Sequence, residues 1–176
     1  VGPSALLKID PAKNQVVKSV ALPEAAGGLT FAGGVVWMAG DTSVLRVDPA
    51  TSVVTKIDLG ADVNDVAFGD GSVWATVDKT GTTSARLVRI DPATGSVVAS
   101  VDIAGSPWDV AVGSGYAWVA PSDDANPFAI AVSTASNTIV ASVTLPQALG
   151  SVAVQGRSAW FVGADSAAGI VSRVDW

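Results

Sequence analysis

A phrase of about forty residues is written into this chain several times, and that period limits the fold more than any other feature. Ile90-Asp91-Pro92-Ala93-Thr94-Gly95-Ser96-Val97-Val98 is followed, after a gap, by Asp109-Val110-Ala111-Val112-Gly113-Ser114-Gly115-Tyr116-Ala117-Trp118-Val119-Ala120. Degraded copies start at Ile9, Val47 and Val132, with a truncated one at Val174, and successive starts lie 38, 43, 42 and 42 residues apart. A period of roughly 40–45 residues describes a unit that buries its apolar face only against its neighbours, typically one propeller blade.

Each copy divides into four short strands. In the second full copy these are expected at Asn64–Phe68, Ser72–Val77, Arg86–Asp91 and Ser96–Asp102, all rich in the Val, Ile and Trp that suit a pleated, half-buried surface. Gly69-Asp70-Gly71 reads as the tight hairpin between strands one and two, with counterparts at Gly33-Gly34, Gly113-Ser114-Gly115 and Gln155-Gly156-Arg157. Asp91-Pro92-Ala93-Thr94-Gly95 joins strands three and four: proline presets φ at the second turn position, and glycine accepts a left-handed conformation at the end. Strands two and three are joined by longer polar loops. No segment has helical periodicity. The expected fold is therefore all-β, a single domain over residues 1–176, built as a β-propeller of four-stranded antiparallel blades. The blade repeats fall at about 5–20 (partial), 28–58, 64–102, 108–143 and 150–175 (partial).

The strand count is incomplete, because the first and last pieces both supply a third strand. Three arrangements satisfy it. The chain is part of a longer ring of six to eight blades, or two copies join as an eight-bladed dimer, or a compact four-bladed ring forms with Leu6–Asp10 displaced. Exposed sheet edges make half a ring an uncomfortable monomer.

Two recurrences are read as scaffold. Trp37, Trp74, Trp118 and Trp160 fall at one phase of the second strand and are expected to fill the wedge between adjacent blades. Lys8-Ile9-Asp10, Arg46-Val47-Asp48, Arg89-Ile90-Asp91 and Arg173-Val174-Asp175 place a base and an acid on one strand face; Ala131-Val132-Ser133 loses both. The pair is either one charge network or a turn-starting Asp beside an unrelated edge Arg.

Composition narrows the function. The net charge is −6, and nowhere do three basic residues stand in a row, which disfavours nucleic acid and anionic membrane surfaces. The longest apolar run, Val110–Ala120, is broken by Gly113-Ser114-Gly115 and is too short to span a bilayer, so no membrane insertion is expected. There is no cysteine and no histidine. Thiolate nucleophiles, disulfides and histidine triads are thereby excluded. An acidic, Lys-poor, Ala/Val/Ser/Thr-rich composition suggests an exported bacterial protein, extracytoplasmic or secreted, whose leader, if any, lies outside this sequence.

In a meander propeller, the loops between blades and those joining strands two and three share one face. That face is expected to carry Glu24, Asp41, Asp62, Asp65, Asp78, Asp109, Asp123, Asp124 and Asp165, nine of the sixteen acids, against essentially one base, Lys79. Converging acids focus a field that favours cationic ligands. The innermost ring of this face is set by Gly28, Asp65, Asp109 and Ser151, with Asn64 and Trp108 one residue earlier. Asn64, Asp65, Trp108, Asp109 and Ser151 are thus the candidate ligand-binding residues at the channel mouth. Oxygen ligands such as Asp65 and Asp109 would suit Ca2+ rather than zinc. The alternative is that these acids cap backbone N–H groups. The loops at 120–127 and 76–85 are the least repeat-like and the best places for variation.

The Asp-Pro-Ala-Thr-Gly turn followed by Val-Ala-Val-Gly-x-Gly-x-x-Trp-Val-Ala resembles bacterial propeller repeats of the YVTN/surface-layer type, and the related streptogramin (virginiamycin B) lyase-like propellers. The resemblance covers essentially the whole chain and implies blade architecture. The lyase branch implies a catalytic histidine and an acid-held divalent metal; a chain without histidine departs from that pattern. The reading from sequence is a non-enzymatic binding or interaction module, with no catalytic residue and no required cofactor, whose partner is a protein or a small polar or cationic ligand. The alternatives are a fragment of a lyase-like enzyme whose catalytic residues lie outside this chain, and a structural array of a surface protein.

Overall fold

The computed structural model describes residues 4–79, 84–122, 127–147, 149–163 and 169–176. Seventeen strands and no helix occur among them. The first hairpin is β1 (Ala5–Asp10) and β2 (Gln15–Ala21). Blade one is β3 (Ala26–Ala32), β4 (Val35–Gly40), β5 (Ser43–Val47) and β6 (Val54–Asp58). Blade two is β7 (Val63–Gly69), β8 (Ser72–Val77), β9 (Arg86–Ile90) and β10 (Val97–Asp102). Blade three is β11 (Ser106–Gly113), β12 (Tyr116–Ser122), β13 (Phe128–Ser133) and β14 (Thr138–Thr144). Blade four stops at three strands, β15 (Leu149–Gln155), β16 (Ser158–Gly163) and β17 (Val171–Asp175). Every sheet is an antiparallel meander in chain order. Expected strands match observed ones to within about a residue, because the turns that end them are chemically explicit.

The turns behave as their residues require. Asp70 and Gly71, with φ of 48° and 77°, both lie in the left-handed region, as do Gly33 and Gly34 and Ser114 and Gly115. Two positive φ angles define the type I′ hairpin that matches strand twist. In the other turn, Asp91 Oδ1 accepts the N–H of Ala93 at 2.7 Å and of Thr94 at 3.4 Å, and Gly95 closes it at φ 74°. Asp10 and Asp48 repeat this capping. In these three copies the Asp of the base–acid pair is therefore a turn starter. Where the base is arginine, it stacks on the tryptophan of its own blade: the guanidinium carbons of Arg46, Arg89 and Arg173 lie 5.8, 5.3 and 5.2 Å from the ring centres of Trp37, Trp74 and Trp160. Among the described residues only Arg173–Asp175, at 2.7 Å, forms the ion pair within the motif. In blade three, which has Ala131, the partner of Trp118 is Trp176, with ring centres 5.4 Å apart.

The core lies between sheets rather than within one. Val66, Val73, Val88 and Ile90 of blade two pack on Trp37 of blade one. Val110, Val119, Ile130 and Val132 of blade three pack on Trp74, and Val152, Ala159 and Phe161 of blade four on Trp118. Each blade thus offers one face backwards and one, bearing the tryptophan, forwards. Trp37, Trp74 and Trp118 are buried between adjacent blades. Trp160 is 39% exposed, because among the described residues no further sheet covers the forward face of blade four. The hairpin β1–β2 packs Leu6 and Val20 onto Met38, Leu45 and Val47, covering only the outer half of the backward face of blade one.

Candidate binding rim at the channel mouth

The inner strands β3, β7, β11 and β15 all open with an irregularity in pairing. Register shifts fall between Ala26 and Leu29, Val63 and Asp65, Pro107 and Asp109, and Leu149 and Ser151. An extra residue in one strand bends it and re-aims the neighbouring side chain. Asn64 and Trp108 are those extra residues in blades two and three, and Asp65 and Asp109 follow them. Gly28, Asp65, Asp109 and Ser151 therefore occupy equivalent places at the start of four successive inner strands.

Their side chains reach sideways to the next blade. Asp65 Oδ2 accepts the N–H of Val110 at 3.3 Å, and Asp109 Oδ2 accepts the N–H of Val152 at 2.8 Å and the hydroxyl of Ser151 at 2.6 Å. The other oxygen of Asp109 takes its neighbour Val110 N–H at 2.9 Å. Asn64 repeats the move one residue earlier, donating to the Pro107 carbonyl at 2.8 Å. Trp108 is 56% exposed on the same rim. The four polar candidates form one chain of latches across blades two, three and four, while Trp108 projects outward beside them. Capping of backbone N–H groups, the alternative weighed from sequence, accounts for most of these contacts; what the sequence did not reveal is that the capped groups belong to the neighbouring blade.

Asp65 carries an unusual proton. Burial, then a hydrogen bond with Asp109 and then the charge of Asp109, push its carboxyl up to about 7. Two carboxyl groups in contact cannot both ionise cheaply, so one holds the proton that joins them. Gly28 makes room for this arrangement, since a Cβ there would collide with Asp65 Oδ1. Ca2+ asks for six to eight oxygens. The rim supplies two carboxyl groups and one hydroxyl, already hydrogen-bonded, and among the described residues no group of three acids is placed to hold a metal.

The remaining acids are more mixed than expected. Glu24 is tied to Lys56 and Ser43; burial raises its carboxyl, but those hydrogen bonds outweigh burial and hold it low. Lys56, which sequence reasoning left off this face, is thus a second base there, brought over by the pairing of β6 beside β5. Asp78 accepts the Ser106 hydroxyl at 2.8 Å. Asp41 and Asp62 instead line a cleft of about 360 Å³ between blades one and two, together with Gly27, Gly40 and Val63. Asp123, Asp124 and Asp165, and much of the two divergent loops, lie outside the described residues.

Residues 38–122 match a family described as a repeat of unknown function, DUF6923. That stretch runs from β4 to β12, about two repeat lengths. No curated protein matches the chain. Hydrazine synthase of Kuenenia stuttgartiensis is similar in structure, with a TM-score of 0.82 at 12% identity, over 97% of this chain and 56% of that one. The WD40 domain of Neurospora crassa Pan2 gives 0.71 at 10% identity, over 93% and 54%. The chain is a partial β-propeller of about four blades. It spans little more than half the length of those two proteins. A computationally designed protein, Ika4, is nearer its size: the TM-score is 0.69 at 12% identity, over 88% of this chain and 92% of that one. Identities this low establish the fold and carry no activity with it.

Proposed function

We propose that this partial propeller is a non-enzymatic, extracytoplasmic interaction module that takes cationic groups of a protein or small polar ligand at its acidic rim. The observation that carries the reading is the cleft lined by Asp41 and Asp62 between blades one and two. Two acids lining one concavity attract a Lys or Arg side chain, and Gly27, where a Cβ would meet nothing within 4 Å, leaves the backbone open to a ligand. Support for a non-catalytic role comes from the chain itself, which has neither histidine nor cysteine, and whose rim carboxylates are spent on inter-blade latches. The extracytoplasmic assignment rests on composition and on the resemblance of the repeats to surface-layer propellers. The test is fluorescence anisotropy with a labelled Lys/Arg-rich peptide and a neutral peptide of equal length, at low and at physiological salt. The expected result is binding of the basic peptide alone, weakened by salt and lowered at least about tenfold by Asp41→Asn with Asp62→Asn. Equal affinity of the double variant would contradict the reading.

A further inference from the structure

Two strands of this chain, β1 and β17, carry the pattern of a third strand outside a complete blade. The third strands of the three complete blades read Val44-Leu45-Arg46-Val47, Leu87-Val88-Arg89-Ile90 and Ala129-Ile130-Ala131-Val132, and their backward-facing pairs, Leu45/Val47, Val88/Ile90 and Ile130/Val132, are buried. In β17 that pair is Ser172 and Val174, a hydroxyl where the others carry an aliphatic chain. In β1 it is Leu7 and Ile9, which suit the core better, followed by the Asp10-Pro11 turn that β17 lacks. Yet Leu7 and Ile9 are 52% and 58% exposed. The exposed Leu29, at 57%, is likewise the counterpart of Val66, Val110 and Val152, all buried against a preceding blade.

We propose that two copies of this chain close into an eight-bladed ring by strand exchange, β1 of each copy replacing β17 on β16 of the other. The existing register gives the pairing. β16 now pairs Ser158 with Asp175, Ala159 with Val174, Trp160 with Arg173, Phe161 with Ser172 and Val162 with Val171. The repeat alignment of Lys8-Ile9-Asp10 with Arg173-Val174-Asp175 sets the partner's β1 opposite the same residues. Ile9 then faces with Ala159, and Leu7 with Phe161, towards blade three. Lys8 takes the place of Arg173 beside Trp160. Leu6 comes opposite Val162.

One exchange covers Leu7, Ile9, Leu29, Phe31, Trp160 and Val162, the apolar residues left open on the two terminal faces. The hairpin β1–β2 stays where it is, anchored on blade one by Leu6, Val20 and the Lys18 ammonium, which donates to the carbonyls of Pro49 at 2.7 Å and Ala50 at 2.9 Å. The composite blade β15–β16 of one copy with β1–β2 of the other then has four strands. Its forward face brings Trp160 and Val162 onto Leu29 and Phe31 of the partner, as Trp37 already meets Val66. Three complete blades and one composite blade per copy, with a twofold axis along the channel, leave no unfinished sheet. What β17 gives up is its ladder, the exposed Arg173–Asp175 pair and the stacking of Trp176 on Tyr116 and Trp118.

Because the chain has no cysteine, a pair introduced at the new junction reports on it directly. Sedimentation equilibrium is expected to give twice the 17.6 kDa chain mass, and Leu6→Cys with Val162→Cys to give a disulfide-linked dimer on a non-reducing gel. Leu7→Asp with Ile9→Asp, at positions exposed in the single chain, is expected to halve the mass while leaving the fold intact by circular dichroism. A monomer mass, an intramolecular Leu6–Val162 disulfide from self-closure, a mass above the dimer, or a dimer indifferent to the Leu7/Ile9 change would each overturn the proposal.

Discussion

At the scale of single residues, the rim is governed by one shared proton. In the folded chain burial and the neighbouring Asp109 push the Asp65 carboxyl up to about 7, against 3.8 for the free side chain. Below the lower value both folded and unfolded chains are protonated there, and the contribution of this group to stability is complete. Between the two values the folded chain keeps a proton that the unfolded chain has released, so stability falls as pH rises through that window. The melting temperature is expected to drop between about pH 4 and pH 7, and Asp65→Asn to flatten that slope and stabilise the fold at pH 8 by about 1–3 kcal/mol. Thermal melts across pH decide this; a variant as pH-sensitive as the parent would contradict the shared proton. Glu24 and Asp175, both held low by hydrogen bonds, act in the opposite sense and lose their contributions only on the acid side.

At the scale of elements, blades meet through close backbone approach at the inner strands. Gly69, at the end of β7, lies against Val112 of β11, where a Cβ would sit 2.6 Å from the Val112 side chain and 2.7 Å from its carbonyl oxygen. Its φ is ordinary, so only this contact demands glycine. Gly69→Ala is expected to push β7 from β11 and to cost about 1–3 kcal/mol in urea denaturation; a neutral substitution would show that the interface yields. Such contacts explain what the sequence made legible. Turns and strand spans were readable because Asp-Pro, Gly and alternating Val state their local geometry outright. The rim residues were readable as equivalent positions, since a repeat fixes phase. Their partners were not, because the residue that Asp109 holds, Val152, lies 43 positions away and is placed by the angle between sheets. Lys56 escaped for the same reason: strand order, not loop membership, carries it to Glu24. Trp160 shares the phase of the other three tryptophans and yet is exposed, because phase says which way a side chain points and not whether a neighbour is there.

At the scale of the whole molecule, stability is a sum over neighbouring blades, and each blade has its own gradient from protected to open. The middle strands β8, β9, β12 and β13 are paired on both edges and covered on both faces, whereas β6, β10 and β14 form the outer edges. Amide hydrogen exchange resolved to short peptides tests this layout most directly. The slowest amides are expected in β8, β9, β12 and β13, with faster exchange at β6, β10 and β14, a pattern that repeats with the sequence period. Protection that instead declines steadily along the chain, or rapid exchange in β8 and β12, would contradict a stack of radially ordered blades.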